Sequence, residues 1–278
     1  MKQLCDLHTH SVFSDGTYTP AELIRSAVNI GLAAVALCDH NTVDGLPDFL
    51  AAAEGAPIEA IAGAEFSVDY EGTELHLLGL FIDPAHFGEI SRLMTEYLRR
   101  KEESNIALVA ALNKAGYALD YAAIKGSTPN GVVNRALIGA ELTRLGYTAS
   151  IQQAFSTLLS KKGGYYTEPQ RPSVFDMIGF IRDIGAVSVL AHPFLNLKDD
   201  RLAEFLPVAK RAGLQGMECY YAKYDAATTE RSLELATGLD LKISGGSDFH
   251  GDNKPDIKLG FGRDNLAVPY ELVKKLKP

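Results

Sequence analysis

The sequence has little cysteine. Cys5, Cys38 and Cys219 are spread over 278 positions, each in an apolar, strand-like run and none in a paired spacing. That excludes a disulfide framework or a thiolate metal site and fits buried free thiols in a reducing compartment. Long hydrophobic runs are also missing, since no stretch approaches the roughly 20 apolar residues that span a bilayer. Nothing after Met1 resembles a secretory signal, because Asp6 leads into polar and charged residues, so a cytoplasmic location is expected. Positive net charge is lacking as well. A formal charge of -8 argues against non-specific nucleic-acid binding and a stable DNA partner, both of which need a positive face toward phosphates. Internal repeats and low-complexity segments are absent. What remains is a globular composition, 46% hydrophobic and 22% charged, long enough for one large domain or two modest ones.

Short β-branched or apolar runs alternate with segments of helical period. "AAVALCDH", "IEAIAGAEFSV" and "ELHLLGLFI" come early, and "AVSVLAHP", "GLQGMECYY" and "LKISGGSDFH" come late. Strands alternating with helices imply right-handed crossovers and a mostly parallel α/β sheet, and at least six such units favour closure into a barrel. Between about His86 and Lys162 the alternation stops and consecutive helices are expected. Residues 1–85 and 163–278 therefore read as the barrel, and 86–162 as an inserted helical subdomain. From Arg92 to Arg171, eleven Lys or Arg accompany six Asp or Glu. Such a basic stretch reads either as solvated helix faces or as a cover over an anionic ligand.

Six of the seven histidines, His8, His10, His40, His76, His192 and His250, fall within or just after an expected strand. His8 and His10 project from one face of an extended run. Carboxylates accompany them: Asp15 beyond the first strand, Asp39 beside His40, Glu65 in "AGAEFS", and Asp248 two residues before His250. In a parallel barrel the C-terminal strand ends converge on one face, so these distant residues are expected to meet. One such histidine alone reads as a packed core residue. Six at equivalent positions, with carboxylates and no thiolate, suit zinc, manganese or iron. Their number exceeds what one ion can use and points to two or three.

"DLHTHSVFSDG", "CDHNT", "GAEFS", "HLLG", "LAHP" and "GGSDFHG", in this order, resemble the PHP (polymerase and histidinol phosphatase) family, in its branch of stand-alone metal-dependent phosphoesterases. The resemblance runs from Asp6 to about Gly262. It implies a distorted barrel of about seven βα units and hydrolysis of a phosphate ester at a trinuclear site. Carried over by position, His8, His10, Glu65 and Asp248 would hold a first ion. Glu65, His76 and His192 would hold a second, and Asp15, His40 and His250 a third. Asp15, Glu65, Asp248 and His250 are thereby expected in the catalytic machinery, with a hydroxide bridging two ions as nucleophile. This branch often carries an "RPH" motif before a helix ending in Gly-Tyr. Here Arg135 matches the arginine, while Ala136 and Leu137 replace the proline and histidine, so only the arginine's role in catalysis and phosphate binding carries over.

Arg171, in "EPQRPS", is a second candidate for a phosphate clamp. Tyr220 and Tyr221 lie at a strand end, either packed at the rim or stacked on a base. Asp39 either orients a ligand histidine or caps a helix, and His86 has no expected chemistry. Relatives of this branch imply a small phosphorylated substrate, foremost the 3'-phosphate of nucleoside 3',5'-bisphosphates, with cyclic phosphodiesters or short RNA trimmed 5' to 3' as alternatives. From another class, an amidohydrolase would cleave C–N bonds with similar ligands. Such enzymes commonly use a carboxylated lysine on a middle strand, and no lysine stands at a strand end before "LKISGG".

Overall fold

The computed structural model describes residues 3–128 and 131–278. Along the chain run β1 (Cys5–Thr9), α1 (Pro20–Asn29), β2 (Ala34–Leu37), α2 (Leu46–Ala53), β3 (Glu59–Tyr70) and β4 (Thr73–Leu80). Helices α3 (Phe87–Lys114), α4 (Tyr121–Gly126), α5 (Arg135–Arg144) and α6 (Ile151–Thr157) follow. The chain then returns to alternation with α7 (Val174–Asp183), β5 (Val187–Leu190), α8 (Pro193–Asn196), α9 (Asp199–Ala212), β6 (Gly216–Tyr221), α10 (Ala226–Gly238), β7 (Lys242–Gly246) and α11 (Glu271–Leu276). Two compact units result, one of Met1–Ser91 with Arg171–Pro278 and one of Arg92–Gln170.

Local chemistry sets the element ends. Thr19 opens α1 with a capping box: its hydroxyl accepts from the Glu22 amide, and the Glu22 carboxylate accepts from the Thr19 amide at 2.8 Å. Pro20 follows at the first helical position, where its missing N–H costs nothing. Leu23, Ile24 and Ala27 then form the buried stripe.

In the first unit the strands are ordered β1 to β7 in sequence. The ends meet where the Asp248 amide donates to the His8 carbonyl at 2.8 Å and the His10 amide to the Phe249 carbonyl at 2.9 Å, which nearly closes a barrel. Gly246 makes this seam possible. A Cβ there would lie 2.4 Å from His8 Cβ and 2.5 Å from the His8 amide nitrogen. Leu7, Ala36, Leu78, Leu80, Val187 and Val189 pack with Val268, Val273 and Leu276 into its core. A fully buried leucine in such a core contributes about 1.5–3 kcal/mol over an exposed one.

Apart from the inserted helices, the alternation of strands and helices fails between β3 and β4. β4 runs antiparallel to both β3 and β5, whereas the other strand pairs are parallel. The cause is the two-residue turn Glu71-Gly72, both at positive φ (49° and 78°), which joins Tyr70 to its partner Thr73. Two successive left-handed residues match the strand twist and produce a tight hairpin. His76 therefore reaches the rim from the first half of its strand, unlike its counterparts at C-terminal ends.

In the second unit, Leu108, Leu112, Val133, Ile138, Leu142 and Leu159 are buried together. Asp120, Asn134 and Ser150 each cap the helix that follows them.

Candidate metal centre

Glu65, on β3, is fully buried and is the hub of the barrel's polar rim. Its Oε1 lies 2.8 Å from His76 Nδ1 and 3.0 Å from His192 Nε2. Its Oε2 lies 2.9 Å from His40 Nδ1, 3.3 Å from His10 Nε2 and 3.4 Å from His8 Nε2. Asp248 Oδ1 stands 3.3 Å from His10 Nε2 and 3.4 Å from His250 Nδ1. Asp15 Oδ1 stands 3.2 Å from His250 Nε2 and 3.7 Å from His40 Nε2. All nine expected ligands thus come together. Seven of them form three overlapping groups of donor atoms, His10, Asp15, His40 and His250; His8, His10 and Glu65; and His40, Glu65 and His76, while His192 and Asp248 stand beside these groups through Glu65 and His10. His10 and His40 are therefore shared more widely than a strict division into three ligand sets implies.

These residues fit divalent ions. His8 Nε2, His10 Nε2, Asp15 Oδ1 and Glu65 Oε2 are buried without a hydrogen-bond partner among the described residues. Buried polar atoms are ordinarily satisfied, so four convergent orphans of nitrogen and oxygen type mark a place for cations. The backbone agrees, since Asp248 (φ 56°) and His192 (φ 28°) sit in left-handed conformations that cost non-glycine residues about 1–3 kcal/mol each.

Electrostatics follow from the crowding. Burial pushes the Glu65 carboxyl up, but His40, His76 and His8 outweigh it and hold it well below the carboxylate range. Burial pulls His8 down, yet Glu65 and Glu218 carry it well above its ordinary value. His10 is held well below its ordinary value by burial and by its neighbours His250 and His40. The carboxyls of Asp15 and Asp248 stay well down despite burial, with His250 and His40 beside the first and Lys254 and His250 beside the second.

Other side chains hold this set in place. Glu218 on β6 is buried and accepts from His8 Nδ1 at 3.1 Å and from the His192 amide at 2.8 Å. A carboxylate on the far nitrogen of a ligand histidine fixes its tautomer and ring. Sequence reasoning missed Glu218, which reads as one polar residue inside an apolar strand. It also missed Asp6, which accepts from the Ser247 and Gly260 amides at 2.9 and 2.8 Å and ties β1 to the loop before Asp248. Asp39 reaches a histidine only through Ser14, whose hydroxyl lies 3.5 Å from His10 Nδ1. It clamps the loop before Asp15 by accepting from the Ser11 amide at 2.8 Å and from the Ser11 and Ser14 hydroxyls.

The expected substrate contacts are placed differently. Tyr221 is only 1% exposed and its hydroxyl donates to Asp248 Oδ2 at 2.8 Å, so it offers no open face to a base. Tyr220 packs against the barrel core, half-buried. Tyr221 is thus no stacking platform. Arg171 is buried and donates to Glu74 Oε2 at 2.6 Å, and the other oxygen of Glu74 lies 3.6 Å from His76 Nε2. Its guanidinium braces a ligand's neighbour instead of standing open as a clamp. Arg135, in the second unit, lies over the Tyr166 ring at 4.2 Å and donates to the Leu159 carbonyl at 3.1 Å. His86 is paired with Glu89 at 3.1 Å.

Comparison with known proteins supplies the context. A family profile for the PHP domain matches residues 6–171. A 5'-3' exoribonuclease of Haemophilus influenzae is 30% identical over 251 residues, 90% of this chain and 91% of that one. A 3',5'-nucleoside bisphosphate phosphatase of Chromobacterium violaceum is 30% identical over 93% of this chain and 91% of its own. Among solved structures, a candidate metal-dependent phosphoesterase from Bifidobacterium adolescentis superposes with a TM-score of 0.85 at 27% identity, covering 99% and 95% of the two chains. One from Chromobacterium violaceum described as an amidohydrolase, with bound sulfate and no metal, gives 0.87 at 27% identity, covering 98% and 96%. The chain belongs to the PHP domain family and is a metal-dependent phosphoesterase.

Proposed function

We propose that this chain hydrolyses a phosphate ester of a small nucleotide-like metabolite, foremost the 3'-phosphate of a nucleoside 3',5'-bisphosphate. The observation that carries the phosphoesterase reading is the convergence of six histidines on Glu65, Asp15 and Asp248, with four buried donor atoms left without hydrogen-bond partners among the described residues. Manganese, zinc or iron suits these ligands, and two or three ions would use them all. Such ions, when bound, supply Lewis acidity toward phosphoryl oxygens and make water acidic enough to ionise near pH 7, about nine units below bulk water. The chain's own part is positional. Glu65 divides its two oxygens between the His76–His192 side and the His8–His10–His40 side, so both sides are fixed by one carboxylate. Asp15 and His250 form the outer edge.

The nucleotide preference is supported by the bisphosphatase relative and by the basic unit Arg92–Gln170, proposed as a substrate cover that includes Arg135. The covered ring of Tyr221 adds nothing to it. Short RNA is a second reading, favoured by the exoribonuclease relative at the same identity; against it stands the net charge of -8. A cyclic phosphodiester is a third, since a phosphoribosyl 1,2-cyclic phosphate 1,2-diphosphodiesterase of Eggerthella lenta is 28% identical over 88% of this chain. The test is phosphate or nucleotide release by the manganese-loaded protein from p-nitrophenyl phosphate, nucleoside 3',5'-bisphosphates, cyclic phosphates and short RNA. Highest kcat/KM on a bisphosphate supports the proposal, and release from none of the four overturns it.

A further inference from the structure

Asp248 presents two oxygens with different company. Oδ1 faces His10 and His250, whereas Oδ2 accepts from the Tyr221 hydroxyl at 2.8 Å and from Lys254 Nζ at 2.7 Å. Lys254 follows the single helical turn Gly251–Asn253. That turn is tied down: the Asp252 amide donates to Thr17 Oγ1 at 2.9 Å, and Asn253 Nδ2 donates to the Asp15 carbonyl at 2.7 Å. The lysine is thereby carried to the carboxylates of the centre, and its side chain is only 27% exposed.

An ammonium has three hydrogens. One is spent on Asp248, and the other two have no partner among the described residues. Holding Asp248 does not by itself require a lysine, because Tyr221 already donates to the same oxygen. A largely covered cation with two open donors, fixed beside metal-ligating carboxylates, is suited to an incoming dianion.

We propose that Lys254 is a phosphate-contacting residue supplied by the barrel: tethered through one hydrogen to Asp248 Oδ2, it donates the others to a non-bridging oxygen of the substrate phosphoryl group. This rests on the phosphoesterase reading and names a residue that binds the reacting group.

The test uses the full chain loaded with Mn2+ and titrated calorimetrically with inorganic phosphate, with bound manganese measured by elemental analysis. Lys254→Met should weaken phosphate binding by about tenfold or more, the worth of a charge-assisted hydrogen bond, at unchanged manganese content. Lys254→Arg should restore most of it. Tyr221→Phe removes a donor from the same oxygen without removing charge, and phosphate should still bind more tightly to it than to Lys254→Met. The proposal is overturned if Lys254→Met binds phosphate as the parent does, if its manganese content falls in step with phosphate binding, or if Tyr221→Phe weakens phosphate equally. Phosphate binding that is lost in Lys254→Met supports the role of Lys254 even if no ester in the panel is hydrolysed. In that event the substrate reading alone fails.

Discussion

Replacing Gly246 by alanine adds one methyl group at the seam that closes the barrel. The new Cβ would start 2.4 Å from His8 Cβ and 2.5 Å from the His8 amide nitrogen, where ordinary contacts begin at about 3.4 Å. The strands must therefore separate by roughly 1 Å, an overpacking that costs about 1–3 kcal/mol. The adjacent bond from the Asp248 amide to the His8 carbonyl, 2.8 Å long, spans the same seam, and losing it adds about 1 kcal/mol. A total near 3 kcal/mol lowers the melting temperature of a chain this size by roughly 6–12 °C. The displacement also separates His8 from Asp248, so metal should be lost with stability. The assay is thermal unfolding with and without Mn2+, together with metal content after dialysis. Gly179 in α7 is the control, because a Cβ there meets nothing within 4 Å and alanine at a helical glycine stabilises by up to about 1 kcal/mol. A Gly246→Ala protein with parental melting temperature and metal content would refute the steric account of the seam.

Glu218→Gln keeps the side chain's size but removes the charge beside His8 Nδ1. Manganese affinity should fall about 10–100-fold with the fold intact, and an unchanged dissociation constant by calorimetry would count against its orienting role. In metal-free protein, burial pulls His76 down, but Glu65 outweighs it and holds the imidazole at about 10 against an ordinary 6.5. The stability this pair contributes is complete below pH 6.5 and fades as pH rises through about 10. EDTA-treated protein should thus lose melting temperature over that window. An ion held by His76 displaces this proton, so manganese uptake at the proposed site should release protons at neutral pH and strengthen as pH rises; a buffer-independent binding enthalpy would contradict this. Burial raises the thiols of Cys5, Cys38 and Cys219 above their ordinary range, so none should react with a disulfide reagent at pH 8 until the chain is unfolded. Fast labelling of the native protein would show that a strand is open.

The clustering of these side chains was legible because histidine and carboxylate are conspicuous when they recur where apolar runs end. The barrel was legible from the same alternation. What sequence period could not show was the direction of β4, which hangs on the turn Glu71-Gly72 alone. Nor could it show which way the tyrosines of β6 face. Strict alternation would place Glu218 and Tyr220 on one face, but the register shifts between them, and the irregularity turns Tyr221 inward with Glu218 and leaves Tyr220 against the core. Lys254 was hidden for a different reason. A lysine after a strand reads as solvated, and only the loop's bonds to Thr17 and Asp15 carry it inward.

The hairpin of β3 and β4 has a consequence for how the protein comes to exist. Glu65 and His76 are eleven residues apart and lie on neighbouring strands joined by a two-residue turn, so this half of the centre needs little loop closure to form. His8 and Glu218 are separated by 210 residues, and the His8–Asp248 contact requires both ends of the chain to have met. The centre thus has an early half and a late half. Metal uptake followed during refolding would therefore report barrel closure, since the full set of side chains assembles only with the last strand in place.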